Sequence, residues 1–319
     1  MNISLEDLLA QVRSHAGIEH KRDIQRVAGA LREAWPTEHA NGDDCAVLDD
    51  EQGYSLLAME GFINAFVEAD PWFAGWCGVM VNLSDIAAMG GRPVAIVNAL
   101  WSADEAKAAQ ILAGMSAASR AWRVPVVGGH TNLRSNQSQL AVAVLGKARC
   151  LLSSFAARDG MQLIAAINLA GRWHPPGYNW DAATSADPVA LRRALAVLPA
   201  LAEEKLAIAA KDISQAGLLG TLVMLLESAQ LGATVELKAI PRPEDCDWPS
   251  WLCAFPSFGY LLAVEPPHAA TVIARFNAVG VSAAAIGALN DSQRLIVTQD
   301  QRRACFWDLA TTPLTGMGH

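Results

Sequence analysis

Apolar positions along this chain switch between a helical and a strand repeat, and the switches mark out an order of elements. Residues 5–34, rich in Leu, Ala, Glu and Arg, predict helix. "YSLLAME" (54–60) predicts a buried strand, and "WFAGWCGVMVNLSDIAAM" a helix that "GGRP" ends, because glycine stops a helix and proline cannot continue it. "VAIVNALW" predicts a second strand, "DEAKAAQILAGMSAASRAW" a helix, and "VPVVGG" and "QLAVAVLGKA" further strands. After residue 150 the order begins again. "MQLIAAINLA", "AIAAKDIS", "ATVEL", "FGYLLAV", "AAAIGAL" and "RLIVTQ" predict strands. "PVALRRALAVLPALAEEKL", "AGLLGTLVMLLESAQLG" and "HAATVIARFNAVG" predict helices between them. Strands alternating with helices in both halves predict an α/β chain of two domains, 1–150 and 151–319. "GRWHPPGYNWDAATSAD" (171–187), rich in Pro, Gly and Asn, predicts a long surface loop.

Composition narrows the classes. The chain has 319 residues, enough for two cores, and at 52% hydrophobic and 18% charged it is too apolar to be disordered. A net charge of −8 without any block of Lys or Arg argues against nucleic acid as a partner. No uninterrupted apolar run of about 18 residues predicts a membrane span, and "MNISLEDLLAQVR" lacks the features of a secretory signal. Six scattered cysteines without a C-x-x-C pair predict buried free thiols in a reducing cytoplasm. Ten Trp against three Tyr is unusual, and the sequence offers no account of it.

The candidate chemistry is acidic. "NGDDCAV" places Asp43 and Asp44 after a glycine, "LLAMEG" ends a strand with Glu60, and "AAKDISQAGLLG" sets Asp212 where a strand gives way to a helix. "NLSDIAAMGG" carries Asp85 inside an apolar helix, with Asn82 three residues earlier on the same face. Carboxylates gathered at strand ends repel one another unless a cation lies between them, and hard oxygen donors suit magnesium bridged to phosphates. Such sites serve phosphoryl transfer. Taken singly, "GDD" is an ordinary turn, Asp85 could pair with Arg92, Asp212 could cap the following helix, and His130 could be a hydrogen-bonded turn residue. Their order along one chain is what favours a site.

"GDDCAV", "NLSDIAAMGGRP", "GGHT" and "KDISQAGLLG" resemble, in order and spacing, the signatures of one superfamily. It contains aminoimidazole ribonucleotide synthetase, selenophosphate synthetase, thiamine-monophosphate kinase and a hydrogenase maturation factor. The chain looks closest to its AIR synthase-related proteins. The resemblance spans about residues 40–290 and implies a PurM-like fold of two domains, each a mixed sheet covered by helices, with the N-terminal sheet pairing against a second copy in a homodimer. It implies ATP, with Mg2+ held by Asp44, Glu60, Asp85 and Asp212. Asp43, Gly128, Gly129 and Thr131 would line the nucleotide, with Ser214 near its phosphates. Read from the residues themselves, His130 could orient or deprotonate the acceptor, and Lys21 in "HAGIEHKRDI" could pair a phosphate or stand on a solvated helix start. The function implied is an ATP-dependent enzyme that passes the γ-phosphoryl group to an oxygen of a small-molecule substrate.

Departures from the pattern bear on which activity. Glu60 stands where relatives have aspartate, "EGFINAFVEAD" lacks the histidine of thiamine-monophosphate kinases, and Gln215 and His130 replace two further acids. No cysteine precedes Cys45, as selenophosphate synthesis requires, and the chain ends "LTGMGH" rather than in the reactive cysteine of the maturation factors. The alternatives are a thiamine-monophosphate kinase-like enzyme and a nucleotide-binding regulator without turnover.

Overall fold

Ser4 starts the first helix by accepting the Asp7 N–H at 3.1 Å, a side-chain cap that the following acids reinforce. The computed structural model describes residues 3–34 and 38–317. In chain order come α1 (Leu5–Arg13), α2 (Ala16–Ala34), β1 (Ala46–Asp50), β2 (Gly53–Gly61), α3 (Asn64–Ala69), α4 (Pro71–Ala88), β3 (Arg92–Trp101), α5 (Glu105–Trp122), β4 (Val126–Asn132) and β5 (Gln139–Ala148). Then follow β6 (Gln162–Ile167), β7 (Arg172–His174), β8 (Asn179–Asp181), α6 (Pro188–Leu195), α7 (Val197–Glu203), β9 (Ala209–Asp212), α8 (Gly217–Ala229) and β10 (Gly232–Glu236). The last are α9 (Trp248–Leu252), β11 (Gly259–Val264), α10 (Ala269–Asn277), β12 (Ser282–Asn290), β13 (Arg294–Gln299) and β14 (Arg302–Asp308). The helix expected over 5–34 is two helices, broken where the Ser14 hydroxyl turns back to the Gln11 carbonyl.

Contacts divide the chain into two units. One holds Asp44–Cys150 and Ala183–Ala200; the other holds the described residues up to Asp43, with Leu151–Ala182 and Leu201 onward. The boundary at Cys150 matches the expected 1–150 and 151–319 division, but the described residues up to Asp43 join the later unit and Ala183–Ala200 the earlier one. Leu5, Leu8, Leu9 and Val12 of α1 are buried in the core of the later strands, against β14 and α9. Conversely, α6 packs on α5.

In the Asp44–Cys150 unit five strands run in the order β1-β2-β5-β3-β4, with only β3 and β4 parallel. Period-two alternation sends Leu56, Ala58, Val142 and Val144 inward against α4, and α5 packs along α4. The helices approach closely because Gly75 and Gly114 face each other's partners: a Cβ on either would lie about 2 Å from a backbone oxygen of the facing helix. Trp72, Trp76 and Trp122 stack at this seam, with centroids 5.5 and 5.4 Å apart. The opposite sheet face stays exposed and apolar, through Leu48, Leu57, Met59 and Val97.

The other unit is a seven-stranded sheet, β14-β13-β10-β12-β6-β11-β9, antiparallel except between β10 and β13. Residues of α1, α8 and α9 share the main core cluster, and α10 packs on β12 and β6. The stretch 171–187 is not a plain surface loop. It forms the β7–β8 hairpin, in which Trp180 is buried and its indole N–H donates to the Asn168 carbonyl at 3.0 Å. Trp173, Trp180, Trp251 and Phe258 meet edge to face there, so aromatic burial outweighs the local turn signals. Six of the ten tryptophans thus lie in two packing seams. Cys45, Cys77, Cys246 and Cys253 are buried thiols, whereas Cys150 is half-buried and Cys305 exposed on β14. Burial pushes the Cys253 thiol up to about 12. No helix among the described residues is long and apolar enough to cross a membrane.

Candidate active site

In the Asp44–Cys150 unit the acid-bearing helix is fixed at its start. Asp70 caps α4 by accepting the Phe73 N–H at 3.0 Å, and Pro71 occupies the first turn, where its missing N–H costs nothing. Along α4 almost every side chain is buried, Asn82 fully and Asp85 at 9% exposure. The Asn82 amide donates to the Gly78 carbonyl at 2.8 Å, while its Oδ1 is buried with no partner among the described residues. A buried acceptor left without a donor is costly, which marks this turn of helix as built for something besides packing. Asp44 precedes β1 and is half-buried; Glu60, also half-buried, lies near the end of β2, paired in register with Val142.

β4, the edge strand, carries "VVGGHTN" wholly exposed. A Cβ at Gly128 would meet open space, so packing does not demand glycine there. Gly129 differs: its Cβ would lie 2.3 Å from the Asn98 carbonyl, so parallel pairing with β3 requires glycine independently of any ligand. His130 is a strand residue opposite Ala99 rather than a turn residue, with its ring 5.9 Å from that of Trp101; Thr131 follows opposite Leu100.

In the other unit Asp212 ends β9, 3% exposed, and its Oδ2 accepts the Ser257 hydroxyl at 2.8 Å. It is not a helix cap, because α8 begins at Gly217 after Ala216 and has no side-chain cap. Ser214 N–H donates to Thr221 Oγ1 at 3.2 Å, and its own hydroxyl oxygen is buried without a partner among the described residues. Asp43 accepts the Ser153 hydroxyl at 2.5 Å and the Ser154 N–H at 2.8 Å, so its carboxylate anchors a turn. Lys21 lies on α2, half-buried.

Among the described residues no group of three or more His, Cys, Asp or Glu is gathered in a way that would itself hold a metal ion. Magnesium does not require such a cage, since it keeps several waters and is usually held by one or two carboxylates together with substrate phosphates. The donors fit that habit. In the Asp44–Cys150 unit Asp44, Glu60 and Asp85 offer hard carboxylate oxygens, and the Asn82 oxygen one turn before Asp85 is buried without a partner among the described residues; in the other unit Asp212 offers one, and the Ser214 oxygen two residues later is likewise without a partner among the described residues. The sequence reading missed a cavity of about 640 Å³ lined by Asn64, Glu68, Asp104, Lys107, Gln137 and Ser138. Hydrogen bonding from the Lys107 ammonium, reinforced by Ser138, holds the Glu68 carboxyl at about 2. The only sequence signal was the polar set in "EGFINAFVEAD", just after Glu60.

Comparison with known proteins divides the chain near residue 150. The profile of the AIR synthase related protein N-terminal domain matches residues 42–148, and that of its C-terminal domain residues 151–300. An uncharacterized protein of Synechocystis sp. is 47% identical over 98% of both chains, and one of Methanocaldococcus jannaschii 35% over 84% of both. The thiamine-monophosphate kinase of Synechococcus elongatus is 28% identical over 68% of this chain and 73% of its own. Among solved structures, T. maritima PurL complexed with ADP superposes with a TM-score of 0.77 at 19% identity over 98% of this chain; the match spans about half of PurL, 52%. AaThiL complexed with AMPPCP and TMP superposes with a TM-score of 0.66 at 17% identity, covering 87% of this chain and 93% of that one.

Proposed function

Because the chain belongs to the AIR synthase-related family, we propose that it is an ATP-dependent enzyme which uses the γ-phosphoryl group to activate an oxygen of a small-molecule substrate. Relatives in the family, thiamine-monophosphate kinase, selenide, water dikinase and the PurL subunit of phosphoribosylformylglycinamidine synthase, support ATP use in general. The observation that carries the reading here is Asn82 and Asp85, two polar side chains buried in an apolar helix, with Asn82 Oδ1 unpartnered.

Asp44, Glu60 and Asp85 of one unit, and Asp212 of the other, are each proposed as Mg2+ ligands; the ion when bound supplies charge screening for phosphoryl transfer. The exposed backbone of Gly128, Gly129 and Thr131 lies open to a nucleotide, and the unpartnered Ser214 hydroxyl and the Lys21 ammonium suit phosphate oxygens. His130, exposed on β4, is suited to orient an acceptor hydroxyl or take its proton. Each acid contributes only if ionised, which a shared cation favours. The exposed apolar face of the five-stranded sheet supports pairing with a second copy of this chain.

The experiment is thermal unfolding with ATP, with and without Mg2+, on the wild type and Asp85→Asn. A ligand at about a hundred times its Kd adds roughly 2.7 kcal/mol to stability. The wild type should gain this with Mg2+-ATP and the variant much less; equal gains would remove Asp85 from the site. ADP release with a candidate acceptor separates an enzyme from a binding protein without turnover.

A further inference from the structure

Lysines are seldom buried, yet Lys211 is 3% exposed at the end of β9, directly before Asp212. By strand alternation it shares a face of β9 with Ala209, which belongs to the core cluster with α8, while Asp212 takes the opposite face. Lys211 Nζ donates to the Gly42 carbonyl at 3.1 Å, and the buried Ser228 hydroxyl on α8 donates to the same oxygen at 3.3 Å. Gly42 opens the "NGDD" motif. A Cβ there would lie 2.8 Å from Ser228 Oγ, so the turn is held on two sides as well as hydrogen-bonded. The next residue, Asp43, is locked onto Ser153 and Ser154, and Asp44 follows.

Burying an ammonium is expensive, and packing alone does not call for one where a methionine would fill the same space. What the ammonium adds is a hydrogen bond onto the acidic motif's own backbone from the strand that carries Asp212. We infer that Lys211 is a positioning residue for the acidic motif: seated on the Gly42 carbonyl, it sets the "NGDD" turn in the conformation that offers Asp44. This rests on the nucleotide-binding reading given above.

The test is the Kd of Mg2+-ATP by calorimetry for the wild type, Lys211→Met, Lys211→Arg and Ser228→Ala, with far-UV circular dichroism on each. Lys211→Met should bind roughly tenfold more weakly or worse, the size expected for a lost charge-assisted hydrogen bond. Lys211→Arg should recover most of the affinity, and Ser228→Ala should lose about threefold, as for a neutral hydrogen bond. A folded Lys211→Met with wild-type affinity overturns the inference, because a lysine that only stabilises the fold would alter the melting point and not the Kd. If Lys211→Met does not fold, Ser228→Ala decides, and an unchanged affinity there overturns the inference instead. A wild type that binds no nucleotide removes the reading of the whole site, an outcome distinct from equal binding by all four proteins.

Discussion

Glu68 is an acid set by its neighbours: the Lys107 ammonium donates to it, and so does the Ser138 N–H at 2.9 Å. Its folded value of about 2 lies below the ordinary 4.5, so the folded state favours the ionised form. The contribution to stability is therefore complete above the ordinary value and is lost as pH falls from there towards 2. Both partners are more than a third exposed, 36% and 37%, so the effect should stay under about 1 kcal/mol. Urea unfolding of the wild type and Glu68→Gln across pH 2–7 should show a gap that is widest at neutral pH and closes towards pH 2; a gap independent of pH would refute it. Asp43 and Asp44 after a glycine, Glu60 and Asp212 at strand ends, and Asp85 inside an apolar helix were legible in the sequence as candidates. What engages them was not. Asp43 meets Ser153, 110 residues further on, and no local pattern encodes such a pairing.

Elements with one clear repeat, such as β2, α5 and β5, appear where the pattern put them. The failures came where tertiary burial overrode local signals: the β7–β8 hairpin in a Pro- and Gly-rich stretch, and β14, whose alternation is short and interrupted. α8 ends with an example of the same kind. Glu227, 2% exposed, accepts from the N–H groups of Leu314, Thr315 and Gly316 at 2.8, 2.8 and 3.1 Å and from the Thr315 hydroxyl at 2.5 Å. A single helical glutamate thus satisfies three successive backbone donors of the C-terminal segment. Glu227→Ala should cost about 2–4 kcal/mol, tempered by hydration of the released segment. Urea unfolding reads the loss, and limited proteolysis should nick the C-terminal segment of the variant first. A variant as stable as the wild type would show the latch to be redundant.

For the whole molecule, two α/β units were legible from the repeated strand–helix order, but the membership of the first 43 residues was not, because the partners of α1 lie near the other end of the chain. The exposed face bearing Leu48, Leu57, Met59 and Val97 sets the oligomer prediction. Light scattering should give twice 33.9 kDa, and Met59→Glu, which puts a charge in that face, should shift the protein to the monomer mass. A wild type at 33.9 kDa would count against pairing through this sheet.

The uneven threading of the units has a temporal consequence during synthesis. Everything the Asp44–Cys150 unit needs has been made once Ala200 leaves the ribosome, whereas the other unit still waits for β14 and for the residues that Glu227 receives. α1 emerges before β14 and α9, the elements that bury it, have been made. Amphipathic α1, with Leu5, Leu8, Leu9 and Val12 on one side, is therefore the segment most exposed to chaperones and to aggregation on a ribosome that stalls late.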